Sequence, residues 1–530
     1  MNAQQLQHLY WRAGFGPRPQ DVAANPSPAK ALRQLLRDAQ AYAPIAPVRY
    51  DDPQGAVMAV ADDKLVPGRP LSAGPAAAAP APATSAQPGT ARPAPADGNA
   101  AALPLRRPAL ALRRQGLPQL RRRDLTPEQR KQQNAAIRDA FVAMSTSWMD
   151  LMADSAGQLR EKAALGWHGH FACRTRRPDD SLALLNTIRE HALGKFPDLL
   201  LAVSRQPAML QFLNNQQNRK AHPNENFARE VMELFTLGRG SYSETDVKEA
   251  ARCFTGWGYD GQGNFKFREK EHDAGSKTLL GETGNWTGED ALRIMVQQPA
   301  AATFIVTKLY RFYVNDQPDP ARVAPLAEAF RRSGYDIADL LERLFSASWF
   351  YDPVNTGSLI KSPVLLVAGL RRTLNLQVDN DRALLGYQKA LGQTLFMPPN
   401  VAGWPGGRAW IDSSSLLLRL QLPNILFKNA DFAVRLKDDE NDINPQSTGK
   451  ERLVKNASAT HLPLAPLQRL LGSTPAAQQP QVLAAFLLQV PLRPENLSLA
   501  QATAAKATTP EEQLRSTLVA LLSLPEYQLA

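Results

Sequence analysis

From about Val66 to Leu105 the chain is dominated by Ala and Pro, with "AGPAAAAPAPATSAQPGTARPAPADG" inside it. Such a stretch cannot bury enough apolar area to offset the entropy lost on ordering. Whatever folds here is therefore assembled from the sequence on either side. Together with the Arg-rich tract that follows, the stretch reads as a disordered insertion at 51–125. It separates an N-terminal helical piece, 1–50, from a main helical body at 126–430 and a C-terminal helical region at 431–530.

Those flanks read as helices. The first is expected around Ala3–Ala13, and a second after Ser27 and Pro28 with Leu32, Leu35 and Leu36 on one face. Thr126 caps a long helix in which Ile137, Phe141, Met144, Trp148, Leu151 and Met152 recur at helical spacing. Further helices are expected near 181–193, 197–204, 225–237, 244–255, 289–297, 300–313, 320–332, 337–347, 362–374 and 412–427. Gly194, Gly238 and Gly334 sit where helices stop, and Ser243 with Asp246 forms a capping box. The exception is "GWGYDGQGNFKF", whose aromatics alternate around a turn as in a small hairpin. The fold class is thus mainly α, a multi-helix globular fold with one small β-hairpin and a disordered Ala/Pro/Arg-rich insertion.

Two cysteines, Cys173 and Cys253, cannot make a disulfide framework or a four-thiolate zinc site. No apolar run reaches membrane-spanning length, and "MNAQQLQHLYWRAGFGPRP" lacks the pattern of a signal peptide. The expected compartment is the cytoplasm, or the periplasm if the start codon is misplaced. The formal charge is +11, but residues 103–123 hold seven arginines and no acid, so the rest of the chain carries +4. Arg106–Arg123 is a candidate nucleic-acid contact, set against a solvated tail.

Four segments collect the chemistry. In "NRKAHPNENFAREVMELFTLG", Asn218, Lys220, His222 and Asn224 precede a helix with Glu225, Arg229 and Glu233 in a stripe opposite Phe227, Val231, Leu234 and Phe235. Glu230 lies near the apolar face, where burial would tune its carboxylate for acid–base work. The alternative is a ladder of ion pairs bracing neighbouring helices. In "WHGHF", His168 and His170 can share one divalent transition metal only if the helix has ended before them, and His222 is a further candidate ligand. Hydrogen-bonded core histidines are the plainer reading. "EHDAGSKTLLG" brings His272, Asp273 and Lys277 into one loop, fit for an anionic or hydroxyl-bearing ligand or simply pinned, but lacks the glycine spacing of a phosphate loop. "PPNVAGWPGGRAWIDSSSLLLR" carries Asn400, Trp404 and Trp410, a pocket wall or a core plug.

Read together, these segments with "YSETDVKEAARCFTGW", "IKSPV", the opening "LYWRAGFGP" and the closing "LLSLPEYQ" resemble the bacterial family named domain of unknown function 1800. The resemblance covers most of the chain. It implies a largely helical protein whose gene often lies beside one for the domain of unknown function 1501 family, whose members look similar to sulfatases. It also marks Trp257, Lys361 and Pro405 as motif positions, without roles. The expected function is a polar ligand-binding or catalytic pocket. If catalytic, it is a hydrolase, metal-assisted or not, acting on a hydroxyl-rich envelope component. Glu225 or Glu230 would serve as base, His272 with Asp273 as acid or orienting pair, and Arg229 or Lys277 as anion stabiliser. Asn218, Lys220, Asn224, Trp257, Asn400 and Trp404 would bind the ligand. The alternative is a non-catalytic partner or maturation factor for the neighbouring sulfatase-like protein.

Overall fold

Proline opens helix after helix. Pro28, Pro178, Pro299, Pro320, Pro363 and Pro510 each occupy a first turn, where a missing N–H removes no hydrogen bond and the fixed φ suits the helix. Ahead of four of them, Ser27, Asp319, Ser362 and Thr509 accept a bond from a first-turn amide. The computed structural model describes residues 2–47, 126–428, 432–434, 452–454 and 460–530. Among these residues it is mainly α, with 21 α-helices.

The expected boundaries match closely at Phe196–Ser204, Glu244–Cys253, Gly288–Gln297, Ile337–Ser346 and Ser413–Lys428. Gln158–His170 and Asp381–Leu391 are helices that the sequence reading did not delimit. The hairpin is present, with Trp257–Tyr259 antiparallel to Phe265–Phe267 and Asp260 accepting the amides of Gln262 and Asn264 in its turn. It is not alone. Lys277–Leu279 pairs with Glu282–Gly284, Gln377–Val378 with His461–Thr460, and Phe432–Val434 with Val454–Arg452.

The described residues of 1–48 and 134–530 gather into one compact unit. The insertion expected at 51–125, with its Arg106–Arg123 tract, lies outside the described residues. In that unit a single apolar core runs from Leu6, Leu9 and Trp11 through Leu165 and Phe235 to Leu521 and Tyr527. The helix Gln158–His170 is buried along most of its length, including Arg160, Glu161 and Lys162. Glu161 accepts two 2.8 Å bonds from Arg189 and one of 2.9 Å from the Trp148 indole, so its charge is paired and both its oxygens are engaged. No helix of the described residues is long and apolar enough to cross a membrane.

Candidate functional site

Three segments meet around Asn218. Its side chain is buried, donating to Asn215 Oδ1 at 3.1 Å and the Ala251 carbonyl at 2.9 Å, and accepting from Asn224 N–H at 2.9 Å. Its own carbonyl accepts from Gly256 N–H, whose φ of 81° brings the chain too close to Arg268 for a Cβ. Lys220 N–H donates to the Glu271 carbonyl at 2.8 Å. Asn218 thus ties residues 215–224 to the end of the helix Glu244–Cys253, and the loop after the hairpin docks beside them. Arg219, Lys220 and His222 are left exposed on the turn so formed.

Asn224 caps the next helix by accepting Asn226 N–H. That helix is α-helical from Glu225 to Glu230 and then widens into a π-turn over Val231–Thr236. The extra residue per turn breaks the expected three-residue stripe. Arg229 still meets Glu225 at 3.2 Å, but its stronger partner is Glu244, which takes both terminal nitrogens at 2.7 Å. Glu233 pairs instead with Arg239 and accepts from the Tyr242 hydroxyl. Glu230 is half-buried. Burial, then repulsion from Glu233, raises its carboxyl above the ordinary value, with Arg229 and Arg239 opposing.

His272, Asp273 and Lys277 lie together but face different partners. His272 Nδ1 donates to the Thr255 carbonyl at 3.0 Å, which leaves Nε2 as its available nitrogen. Asp273 does not orient it. Its carboxylate is held by Arg252 at 2.7 Å and by Gly275 N–H at 2.9 Å, and these bonds keep its pKa low. Lys277 is buried and donates to the carbonyls of Asp273 and Gly275, closing the loop on itself. The pinned-loop alternative describes this geometry.

The histidines of "WHGHF" are both inside the helix Gln158–His170, so the condition for joint chelation is not met. His168 Nε2 accepts from Phe396 N–H at 3.1 Å, and burial lowers its pKa to about 4. His170 Nε2 donates to the Phe235 carbonyl, while its Nδ1 accepts from Lys308 at 3.1 Å. His222 is exposed on its turn. Among the described residues no group of three His, Cys, Asp or Glu side chains is placed to hold a metal ion.

Trp257 is fully buried against Phe254, Phe227 and Phe265, a core residue instead of an accessible ligand platform. Trp404 is half-buried beside His168, with ring centroids 5.4 Å apart, and Asn400 turns its own loop by accepting Ala402 N–H. Trp404 therefore attends the helix Gln158–His170 and Asn400 its own loop, whereas Asn218, Lys220 and His272 form the brace around Gly256.

One centre escaped the choice of site residues. Lys361, in "IKSPV", is fully buried with Nζ 3.6 Å from the Trp11 ring centroid and 3.7 Å from that of Tyr527. It donates to the Tyr527 carbonyl at 2.7 Å, and Arg419 donates to the carbonyl of Lys361. The signal was present in the motif positions but not in any local spacing, because the partners lie 166 residues apart in sequence for Tyr527.

A helical scaffold in which polar clusters brace the chain's own backbone defines the class. The particular family follows from comparison. The family model described as a protein of unknown function, DUF1800, matches residues 8–529, and the chain belongs to that family. No curated protein and no solved structure matches it.

Proposed function

We propose that this protein acts by binding and not by side-chain chemistry, as a non-catalytic partner of the sulfatase-like neighbour from the domain of unknown function 1501 family. What supports the reading is where the reactive groups point. Asp273 is engaged by Arg252 and Gly275, Lys277 by two carbonyls, and Asn218 by Asn215, Ala251 and Asn224. Groups held this way fix a shape, and the shape they fix carries Arg219, Lys220 and His222 outward. The experiment is co-purification of the two proteins after co-expression, with Glu230→Gln and His272→Ala beside the parent. Equal capture by all three, with normal complementation by both variants, is the expected outcome. No capture by the parent would sink it.

A hydrolase is the second reading, and Glu230 is the observation that favours it: a half-buried carboxylate with a raised pKa is suited to general acid or base work. Lost complementation by Glu230→Gln with partner capture intact would favour this reading. Elemental analysis of the tag-free protein beside His222→Ala and His272→Ala tests its metal-assisted form.

A further inference from the structure

The helix Pro320–Arg332 turns Arg322, Pro325, Leu326, Ala329 and Arg332 to one side, at helical spacing. Facing them are Arg343, near the end of the helix Ile337–Ser346, and Trp349 in the turn Ser348–Tyr351. Between the two walls runs an open groove of about 380 Å³. Its floor is aliphatic, and its charged lining is three arginines and no carboxylate.

The arginines are held in a particular way. Trp349 stacks on Tyr310, with centroids 5.9 Å apart and planes at 19°, and the Arg322 guanidinium lies 5.6 Å from the Trp349 ring centroid. A guanidinium resting on an indole has already lost much of its rotamer freedom. Nε of Arg322 is 3.7 Å from Asp319, Nε of Arg332 is 3.6 Å from Glu328, and Nε of Arg343 is 2.8 Å from Asp339. Glu328 is meanwhile shared with Arg331 at 3.1 Å. In all three the carboxylate sits at Nε. Among the described residues no hydrogen bond engages their terminal nitrogens, which are the pair that grips an acidic group bidentately.

We propose that this groove binds a small anionic ligand with a planar apolar body, an aromatic ring bearing a carboxylate, sulfonate or phosphate. The acidic group would sit among the guanidinium forks, and the ring would lie on Pro325, Leu326 and Ala329 against the rim of Trp349. An uncharged ligand of the same shape uses only the floor. The volume lies at the lower end of small-molecule sites, enough for one or two rings. The groove shares no residue with the brace around Asn218, so the inference stands apart from the partner reading.

The test titrates the full chain with 8-anilinonaphthalene-1-sulfonate and with N-phenyl-1-naphthylamine, which lacks the sulfonate, following dye fluorescence. One saturable site is expected, preferring the sulfonate by roughly tenfold or more, as charge-assisted bonds from paired forks allow. In R322Q/R332Q/R343Q the preference should fall to about twofold or less while the neutral dye binds as before. A variant that keeps the preference, or a parent with no saturable site, would overturn the proposal. If the triple variant does not fold, the three single variants carry the test, each expected to weaken sulfonate binding about threefold; three unchanged affinities would equally overturn it.

Discussion

Lys162 carries its amine into the core at 3% exposure, with Nζ 3.4 Å from the Trp11 carbonyl and over the rings of Phe15 and Phe312. Burial, then the charge of Arg12, lowers its pKa from 10.5 to about 7, and Lys361 is also close enough to feel it. Between those two values the unfolded chain binds a proton that the folded chain does not. Lys162 therefore contributes stability that is fully present above pH 10.5 and lost as pH falls to about 7. Lys162→Met should be favoured over the parent most at pH 6. That advantage should shrink by roughly 4 kcal/mol by pH 10, in urea unfolding at the two pH values. An unchanged difference would mean that Lys162 does not titrate in this window. The same residue shows what local reading misses. "QLREKAALGWHGH" has charged residues where a buried helix should have none, and the partners that make burial tolerable, Arg189 for Glu161 and Trp11 for Lys162, are 28 and 151 residues away. Residue types were legible, as the choice of Asn218, Asp273 and Lys277 shows, but their partners were not.

The element that departs most from its sequence pattern is Glu225–Thr236. Asn224 caps its start by accepting a first-turn amide, and the Ser243–Asp246 box opens the next helix as read. The π-turn was not legible, because Phe227, Val231, Leu234 and Phe235 fit a straight α-helix equally well. Tertiary bonds decide the matter. The helix ends at Gly238, with φ of 79°, and its last carbonyls need donors. Lys308 donates to the Leu234 carbonyl at 2.8 Å and His170 to that of Phe235 at 3.1 Å, while Lys308 also donates to His170. Burial brings the Lys308 pKa down to about 8. Lys308→Met keeps the stem but leaves the Leu234 carbonyl and His170 Nδ1 without this donor. It should cost about 1–3 kcal/mol in urea unfolding at pH 7, the usual penalty for a buried polar group left unmade. A loss below the error of the measurement would mean that water replaces the amine and that the π-turn is held by its apolar face alone.

At the scale of the molecule, the described fold is closed by contacts between segments hundreds of residues apart. Arg12 donates to the carbonyls of Val314 and Asn355, Arg372 to those of Gly16 and Ala153, and His8 bonds the Phe350 carbonyl. Leu359 and Ala530 exchange backbone hydrogen bonds, and Lys361 N–H donates to the Gln528 carbonyl. The opening "LYWRAGFGP", the central "IKSPV" and the closing "LPEYQ" therefore meet at Lys361, a convergence that composition and periodicity do not encode. Helix content was legible because it depends on neighbours three and four residues apart; this closure was not, because it depends on the whole path of the chain. Removing residues 524–530 would take away Tyr527, fully buried against Trp11, and the backbone partners of Leu359 and Lys361. Loss of one buried aromatic costs about 3–5 kcal/mol on its own, which is a large share of the stability of an ordinary domain. The truncated chain should consequently lose its sharp thermal transition and its near-ultraviolet dichroism while keeping most of its helical signal. Tyr527→Phe, which retains the ring over Lys361, should keep the sharp transition. If the truncated chain instead melts cooperatively within about 1 °C of the parent, a shift worth roughly 1 kcal/mol for a chain of this size, the Lys361 centre is a local fastening and the core closes without it.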